Sequence, residues 1–162
     1  MNLVPLLSLL AAAAPIAGHR ELVTVQAPAA VVMPGGGVEI RIALTVADGF
    51  HVQANPPSDE LLIPVRFELP PADGIAPGRI TYPPGKPFRL NGSESDLLVY
   101  DGSFEIVATL AAGPTAKPGE HLLRGKVGYQ ACDATSCRPP TSTPVALSVR
   151  VVPPRAGAPE TN

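Results

Sequence analysis

Hydrophobic and polar residues alternate along several segments of this chain. The clearest segment spans residues 38–47, where Val, Ile and Leu occupy every second position and polar or small residues lie between them. The same alternation recurs at residues 65–69, 104–110 and 145–151. A period of two predicts a β-strand with one buried face, because successive side chains of a strand point to opposite sides.

Weaker strand patterns lie between these segments. They occupy residues 22–27, 50–54, 79–82, 97–100 and 122–131. Gly- and Pro-rich turn signals separate the segments, and 21 prolines disfavour helices. Eight or nine short strands predict an all-β antiparallel sandwich, with a closed barrel as the rival architecture. Residues 83–96 lack a strong strand pattern, which indicates either a functional loop or a plain connection.

The two ends of the chain differ from its middle. Residues 1–17 contain a short apolar run followed by small residues, which is typical of a secretory signal peptide, although no Lys or Arg precedes the run. Residues 153–162 are rich in Pro, Ala and polar residues and are expected to be disordered. One domain at residues 21–152 remains. It has no second apolar run, so we expect an exported mature chain without a membrane span.

Charge and aromatic content bear on the class of partner. The formal net charge is −2 at pH 7, basic residues form no cluster, and Trp is absent. Nucleic-acid binding usually requires a basic face and often aromatic side chains on which bases stack. We therefore expect no nucleic-acid partner.

The chain has two cysteines, Cys132 and Cys137, with four residues between them. The alternation of the preceding segment places Cys132 on its polar face, away from the core. A four-residue loop can close a hairpin and bring the two cysteines opposite each other, with Cα atoms about 4.5–5.5 Å apart. A disulfide accepts that separation, so we expect the pair at an accessible hairpin tip.

The pair has three possible uses: a redox-active dithiol, a structural disulfide or part of a metal site. A ring this small stabilises a fold by only about 2 kcal/mol, so it is a weak structural staple. A metal site lacks ligands, because His19, His51 and His121 are scattered along the sequence. A redox-active pair is favoured, and it needs no cofactor, since the sulfurs themselves carry the electrons.

Neighbouring charges distinguish the two sulfurs. Arg138 follows Cys137, and a nearby cation stabilises a thiolate. Asp133 follows Cys132 and disfavours a thiolate there. The sequence therefore predicts Cys137 as the nucleophile, Cys132 as the resolving cysteine and Arg138 as part of the site.

The sequence around the cysteines resembles a known family. YQAC at residues 129–132, followed by CRPP at residues 137–140, is similar to the signature of the N-terminal periplasmic domain of the thiol:disulfide interchange protein DsbD. Further landmarks occur in the expected order: DGFH at 48–51, NPP at 55–57, LIP at 62–64, YP at 82–83 and LVY at 98–100. The resemblance covers residues 21–152.

The resemblance implies an immunoglobulin-like β-sandwich that carries the cysteine pair on a hairpin. It implies a protein-disulfide reductase-like exchange reaction with periplasmic thioredoxin-like proteins, in which Cys137 forms the mixed disulfide. It also implies a cap loop with a shielding aromatic residue, for which Phe88 is the candidate. Full-length relatives continue into a membrane domain and a thioredoxin-like domain, so we expect a separate membrane electron donor.

Three more residues are candidates for lining the cysteine site. His51 could tune a thiolate if it lies near Cys137, or it could be a partly exposed strand histidine without a role. Tyr100 and Tyr129 could line the site, although Tyr129 shares the core-facing phase of its strand. The sequence thus predicts a periplasmic thiol–disulfide exchange domain. The alternative is a secreted, non-catalytic β-sandwich binding module whose Cys132–Cys137 bond is structural.

Overall fold

The fold consists of β-strands and their connections throughout residues 21–90 and 94–153, the parts of the chain that this computed structural model describes. The strands are β1 (Val23–Gln26), β2 (Ala30–Val32), β3 (Gly37–Val46), β4 (His51–Gln53), β5 (Arg66–Glu68), β6 (Ile75–Thr81), β7 (Lys86–Phe88), β8 (Leu97–Tyr100), β9 (Ser103–Ala112), β10 (Gly119–Tyr129), β11 (Ala131–Cys132) and β12 (Thr141–Val151). Within these residues, no helix is long and apolar enough to span a membrane. The expected signal peptide at residues 1–17 and nearly all of the expected tail lie outside the described residues.

Two four-stranded sheets make up the sandwich, with strand orders β1-β3-β9-β6 and β2-β12-β10-β5. The alternating residues of β3 and β12 explain why they face each other: Ile42 and Leu44 from one sheet are fully buried, as are Leu147 and Val149 from the other. All four belong to a single hydrophobic core. The predicted all-β, immunoglobulin-like antiparallel sandwich is confirmed, although β2 lies parallel to β12.

A third four-stranded sheet has the order β11-β4-β8-β7 and carries Cys132; it is called the small sheet below because its strands are short. The turn into β4 requires Gly49, whose φ of 80° is readily adopted only by glycine. Immediately after that turn, β4 is buried on both faces, since His51, Val52 and Gln53 are all buried. The strand that faces the cysteine hairpin is therefore packed on both sides.

Three differences from the sequence prediction concern short strands. Neither β2 nor β7 was expected, and β7 lies in the stretch 83–96, where Pro87 hides any strand pattern but is tolerated on an edge strand. The strand expected at residues 122–131 is two strands, β10 and β11, divided at Gln130. There the chain leaves the large sheet, where β10 pairs with β12, and joins the small sheet, where β11 pairs with β4.

Candidate active site

Cys132 and Cys137 form a disulfide at the edge of the small sheet. Their Sγ atoms are 1.98 Å apart and their Cα atoms 3.9 Å apart, which is closer than the sequence analysis expected. The two residues face each other as an antiparallel bridge across the loop 133–136. The prediction that the pair lies on a hairpin is confirmed.

The Asp133 carboxylate organises the loop between the cysteines. Its Oδ1 atom accepts hydrogen bonds from the backbone N–H groups of Thr135 and Ser136, both at 2.8 Å, and from the Thr135 hydroxyl at 2.9 Å. The Asp133 N–H donates to the Ser136 carbonyl at 2.9 Å, which closes the turn. These donors, led by the two backbone N–H groups, lower the pKa of Asp133 to about 2.

The two sulfurs lie in different environments. Cys132 is only 3% exposed, whereas Cys137 is exposed to solvent. The expectation that Cys132 lies on a polar face, away from the core, is therefore wrong. It followed from extending the alternation of β10 through Gln130, but the chain changes sheets there and Cys132 is buried against the new neighbour, β4.

Arg138 lies on one side of the hairpin. Its N–H donates to the Ala131 carbonyl at 2.8 Å, which extends the pairing beyond the disulfide. Its guanidinium lies 3.5 Å from the Asp133 carboxylate and 5.8 Å from the centre of the Phe50 ring. The order of residues alone implied that Arg138 stabilises a thiolate at Cys137 and that Asp133 disfavours one at Cys132. Because Asp133 and Arg138 form an ion pair, their charges offset each other and do not act on the two sulfurs separately.

A cleft of about 780 Å³ opens on the Arg138 side of the hairpin. Phe50, Tyr129 and Pro139 are among the residues that line it. Tyr129 is nevertheless 3% exposed and part of the core, so it contributes little surface to the cleft. Phe50 was not identified from the sequence as a site residue, although its place directly after the Asp48-Gly49 turn was a usable signal.

His51 lies on the other side of the hairpin. It is the residue of β4 directly opposite Cys132, and it is 5% exposed, so the expectation of a partly exposed histidine is wrong. Its ring stacks at a tilt against the ring of Phe88, with centroids 4.2 Å apart. Burial lowers the pKa of His51, against smaller opposing effects of the carboxylates of Asp101 and Asp133.

Phe88 is half-buried on β7 and lines a second cleft, of about 540 Å³. His51, Asp101 and Ala134, the last from the cysteine loop, line the same cleft. Lys86, two residues before Phe88, forms an ion pair with Asp101. Phe88 thus lies against His51 and beside the cysteine loop, while Cys137 stays exposed.

Tyr100 is not brought to the cysteines. It lies on β8, whose partner β4 separates it from β11, and it is buried. Its hydroxyl accepts a hydrogen bond from the Asn55 N–H at 3.1 Å and donates one to the Pro83 carbonyl at 2.8 Å. Tyr100 therefore links the segment after β4 to the segment that leads into β7.

Metal ligands are not gathered elsewhere in the described part of the chain. No group of three or more His, Cys, Asp or Glu side chains in residues 21–90 and 94–153 is arranged to hold a metal ion. His121, for example, lies near Asp73 and the Lys117 carbonyl, with no cysteine beside it. The chemistry available at the hairpin is that of the two sulfurs.

Comparisons with known proteins bear on the fold of the chain. No curated protein matches the chain. Among solved structures, the N-terminal periplasmic domain of ScsB from Proteus mirabilis matches with a TM-score of 0.51 and 16% identity, over 80% of this chain and 45% of that chain. The chain therefore spans less than half of that structure, and at this identity the likeness concerns the fold alone. PapD-like domain 7 of human CEP192 matches with a TM-score of 0.44 and 10% identity, over 93% of this chain and 100% of that one.

A family match covers most of the chain and includes the site. The family described as thiol:disulfide interchange protein DsbD, N-terminal, matches residues 19–148. That range contains both cysteines, the hairpin between them, and the strands that carry His51 and Phe88. The chain belongs to the family of the DsbD N-terminal domain.

Proposed function

We propose that this domain exchanges thiols and disulfides with periplasmic thioredoxin-like proteins through Cys132 and Cys137. The observation that carries the proposal is the contrast between the sulfurs: Cys137 is exposed at the edge of the small sheet, whereas Cys132 is buried behind it. Exchange needs one sulfur that a partner can reach and a second that resolves the mixed disulfide. The family match supports this reaction and the periplasmic location.

The reaction balances without a cofactor. In the reduced domain, the Cys137 thiolate attacks a partner disulfide, the partner's S–S bond breaks, and one partner sulfur leaves with the electron pair. The Cys132 thiolate then attacks Sγ of Cys137, which forms the Cys132–Cys137 bond and releases the second partner sulfur. Two electrons have passed to the partner, and the reverse sequence reduces the domain.

Accessibility favours Cys137 as the sulfur that forms the mixed disulfide. A thiolate must approach the S–S bond in line, and a buried sulfur such as that of Cys132 cannot be approached from outside. The clefts on both sides of the hairpin give a partner room to seat beside Cys137. We assign Phe88 the role of shielding the His51 side of the site, and Arg138 that of bordering the approach to Cys137. As electron donor we propose a separate membrane carrier.

Two measurements test the proposal. The reduction potential of the Cys132–Cys137 bond should lie among those of exchange proteins, about −120 to −270 mV, because its sulfur is exposed and the ring is small. A potential below about −300 mV would instead identify a structural disulfide in a non-catalytic binding module.

Trapping tests the order of the cysteines. In Cys132→Ala, Cys137 should hold a partner in a lasting mixed disulfide, because no second sulfur releases it. Cys137→Ala is the matched control, and it should trap nothing, since Cys132 is 3% exposed. Trapping by Cys137→Ala but not by Cys132→Ala would reverse the assignment, and trapping by neither would count against exchange.

A further inference from the structure

The buried position of Cys132 creates a chemical requirement. A thiol must ionise before it attacks a disulfide, and burial disfavours the charged thiolate. Cys132 is 3% exposed, so water has little access to its proton. Resolution of a mixed disulfide on Cys137 therefore calls for a base beside Cys132.

The register of the small sheet places one such base next to Cys132. His51 of β4 is the direct antiparallel partner of Cys132, and Cys137 faces Cys132 from the opposite side. Directly opposed residues of antiparallel strands carry their side chains on the same face, with Cβ atoms about 4.5–5.5 Å apart. His51, Cys132 and Cys137 therefore form a row on one face of the sheet.

The other charged groups around the ring are already engaged. Asp133 accepts hydrogen bonds from Thr135 and Ser136 and forms an ion pair with Arg138. These interactions make its carboxylate a very weak base. Asp101 forms an ion pair with Lys86 across the second cleft. His51, by contrast, makes no hydrogen bond through its ring nitrogens within residues 21–90 and 94–153.

We infer that His51 is the proton acceptor for Cys132 in the resolving step, an inference that rests on the proposed exchange function. The neutral imidazole takes the proton from the Cys132 thiol as its sulfur attacks Sγ of Cys137. The Cys132–Cys137 bond forms, the bond from Cys137 to the partner breaks, and the partner sulfur leaves with the electron pair. The imidazolium then passes its proton to that thiolate or to water.

The surroundings of His51 suit this role. Its ring is stacked against Phe88, and burial lowers its pKa, so the base is unprotonated at neutral pH. The carboxylates of Asp101 and Asp133 act on the ring in the opposite direction and stabilise the imidazolium once it forms. Lys86 and Arg138, which pair with those carboxylates, moderate that attraction.

The test separates the two chemical steps in one reaction. The full-length reduced protein is mixed with dithiobis(nitrobenzoate), and thionitrobenzoate release is followed by stopped-flow absorbance. The first release reports attack by Cys137, and the second reports attack by Cys132 on the mixed disulfide. His51→Phe keeps an aromatic ring against Phe88 without a base, and His51→Gln is a second variant of different shape. The control is His121→Gln, a histidine on β10 that lies beside Asp73 and Lys117.

We expect both His51 variants to leave the first release unchanged and to slow the second by about 100-fold at neutral pH, the usual scale for loss of a general base. In the native protein the second rate should level off once His51 is neutral, whereas in the variants it should keep rising with pH. An unchanged second release overturns the inference. Equal slowing of both releases also overturns it, because His51 would then only support the hairpin. If the native protein releases a single thionitrobenzoate, the proposed exchange function itself fails.

Discussion

Removal of the Tyr100 hydroxyl tests how much its hydrogen bonds stabilise the link between the small sheet and the segment that leads to Phe88. The substitution Tyr100→Phe keeps the buried ring and its stacking on Phe104, where the centroids are 4.3 Å apart. It removes the acceptor for the Asn55 N–H and the donor for the Pro83 carbonyl. Burial raises the pKa of Tyr100, so the hydroxyl is protonated at neutral pH and these bonds are present there.

The expected loss of stability follows from the two partners left behind. A half-buried backbone group that loses its hydrogen-bond partner costs about 1–3 kcal/mol, and partial access of water to Asn55 and Pro83 reduces that cost. We therefore expect a loss of about 2 kcal/mol in the free energy of unfolding. In a domain of this size, the midpoint of thermal unfolding should fall by roughly 5–10 °C.

The other two tyrosines supply graded controls for the same assay. The Tyr82 hydroxyl accepts one hydrogen bond, from the Phe67 N–H at 2.9 Å, so Tyr82→Phe should cost about 1 kcal/mol. No hydroxyl bond of Tyr129 lies in the described part of the chain, so Tyr129→Phe should stay within about 0.5 kcal/mol of the native protein. The measurement is chemical denaturation followed by circular dichroism. Equal stabilities for the Tyr100 and Tyr129 variants would refute the reasoning.

Two further predictions concern the ionisable groups beside the disulfide. Phe88→Ala admits water to His51 and should raise the pKa of that ring, which an NMR titration of its ring protons measures; an unchanged midpoint would show that other groups bury the ring. Because the pKa of His51 is lowered on folding, the neutral ring stabilises the fold above pH 6.5, the pKa in the unfolded chain. This stability is lost as the pH falls through the pKa of the folded state. Phe88→Ala should therefore lose less stability on acidification than the native protein. The pKa of Asp133 is also lowered on folding. The hydrogen bonds of its carboxylate should therefore persist below pH 3.8 and be lost with a midpoint at about pH 2, as reported by the amide shifts of Thr135 and Ser136. A midpoint close to 3.8 would contradict the hydrogen-bonded loop.

Local sequence patterns predicted the sandwich because its large sheets are regular. In β3 and β9 the buried residues are hydrophobic and occur at every second position, and the same holds in β12 from Val145 onward, after the buried Thr143. The period of two therefore identifies both the strand and its buried face. The cysteine hairpin was equally predictable, because a four-residue loop fixes which residues oppose each other. The nearby motif at residues 129–140 identified the family.

The environments within the site depended on residues far away in the sequence. Cys132 is buried because at Gln130 the chain stops pairing with β12 and begins to pair with β4. Nothing in the local alternation marks that change. His51 is buried because Phe88, from a separate strand, lies against it. The hydroxyl of Tyr100 reaches backbone groups at Asn55 and Pro83, on two different connections. Such contacts follow from tertiary packing and carry no local signature.

The change of sheet at Gln130 accounts for the difference between the sulfurs. Had β10 continued in the large sheet, Cys132 would share the exposed phase of Lys126, and both sulfurs would meet water alike. In the small sheet, Cys132 lies between His51 on one side and Cys137 on the other, and only the outer position remains open to a partner. One structural irregularity thus produces an accessible sulfur, a protected sulfur and a base beside the protected one. The proposed exchange relies on the accessible and the protected sulfur, and its inferred resolving step relies on the base.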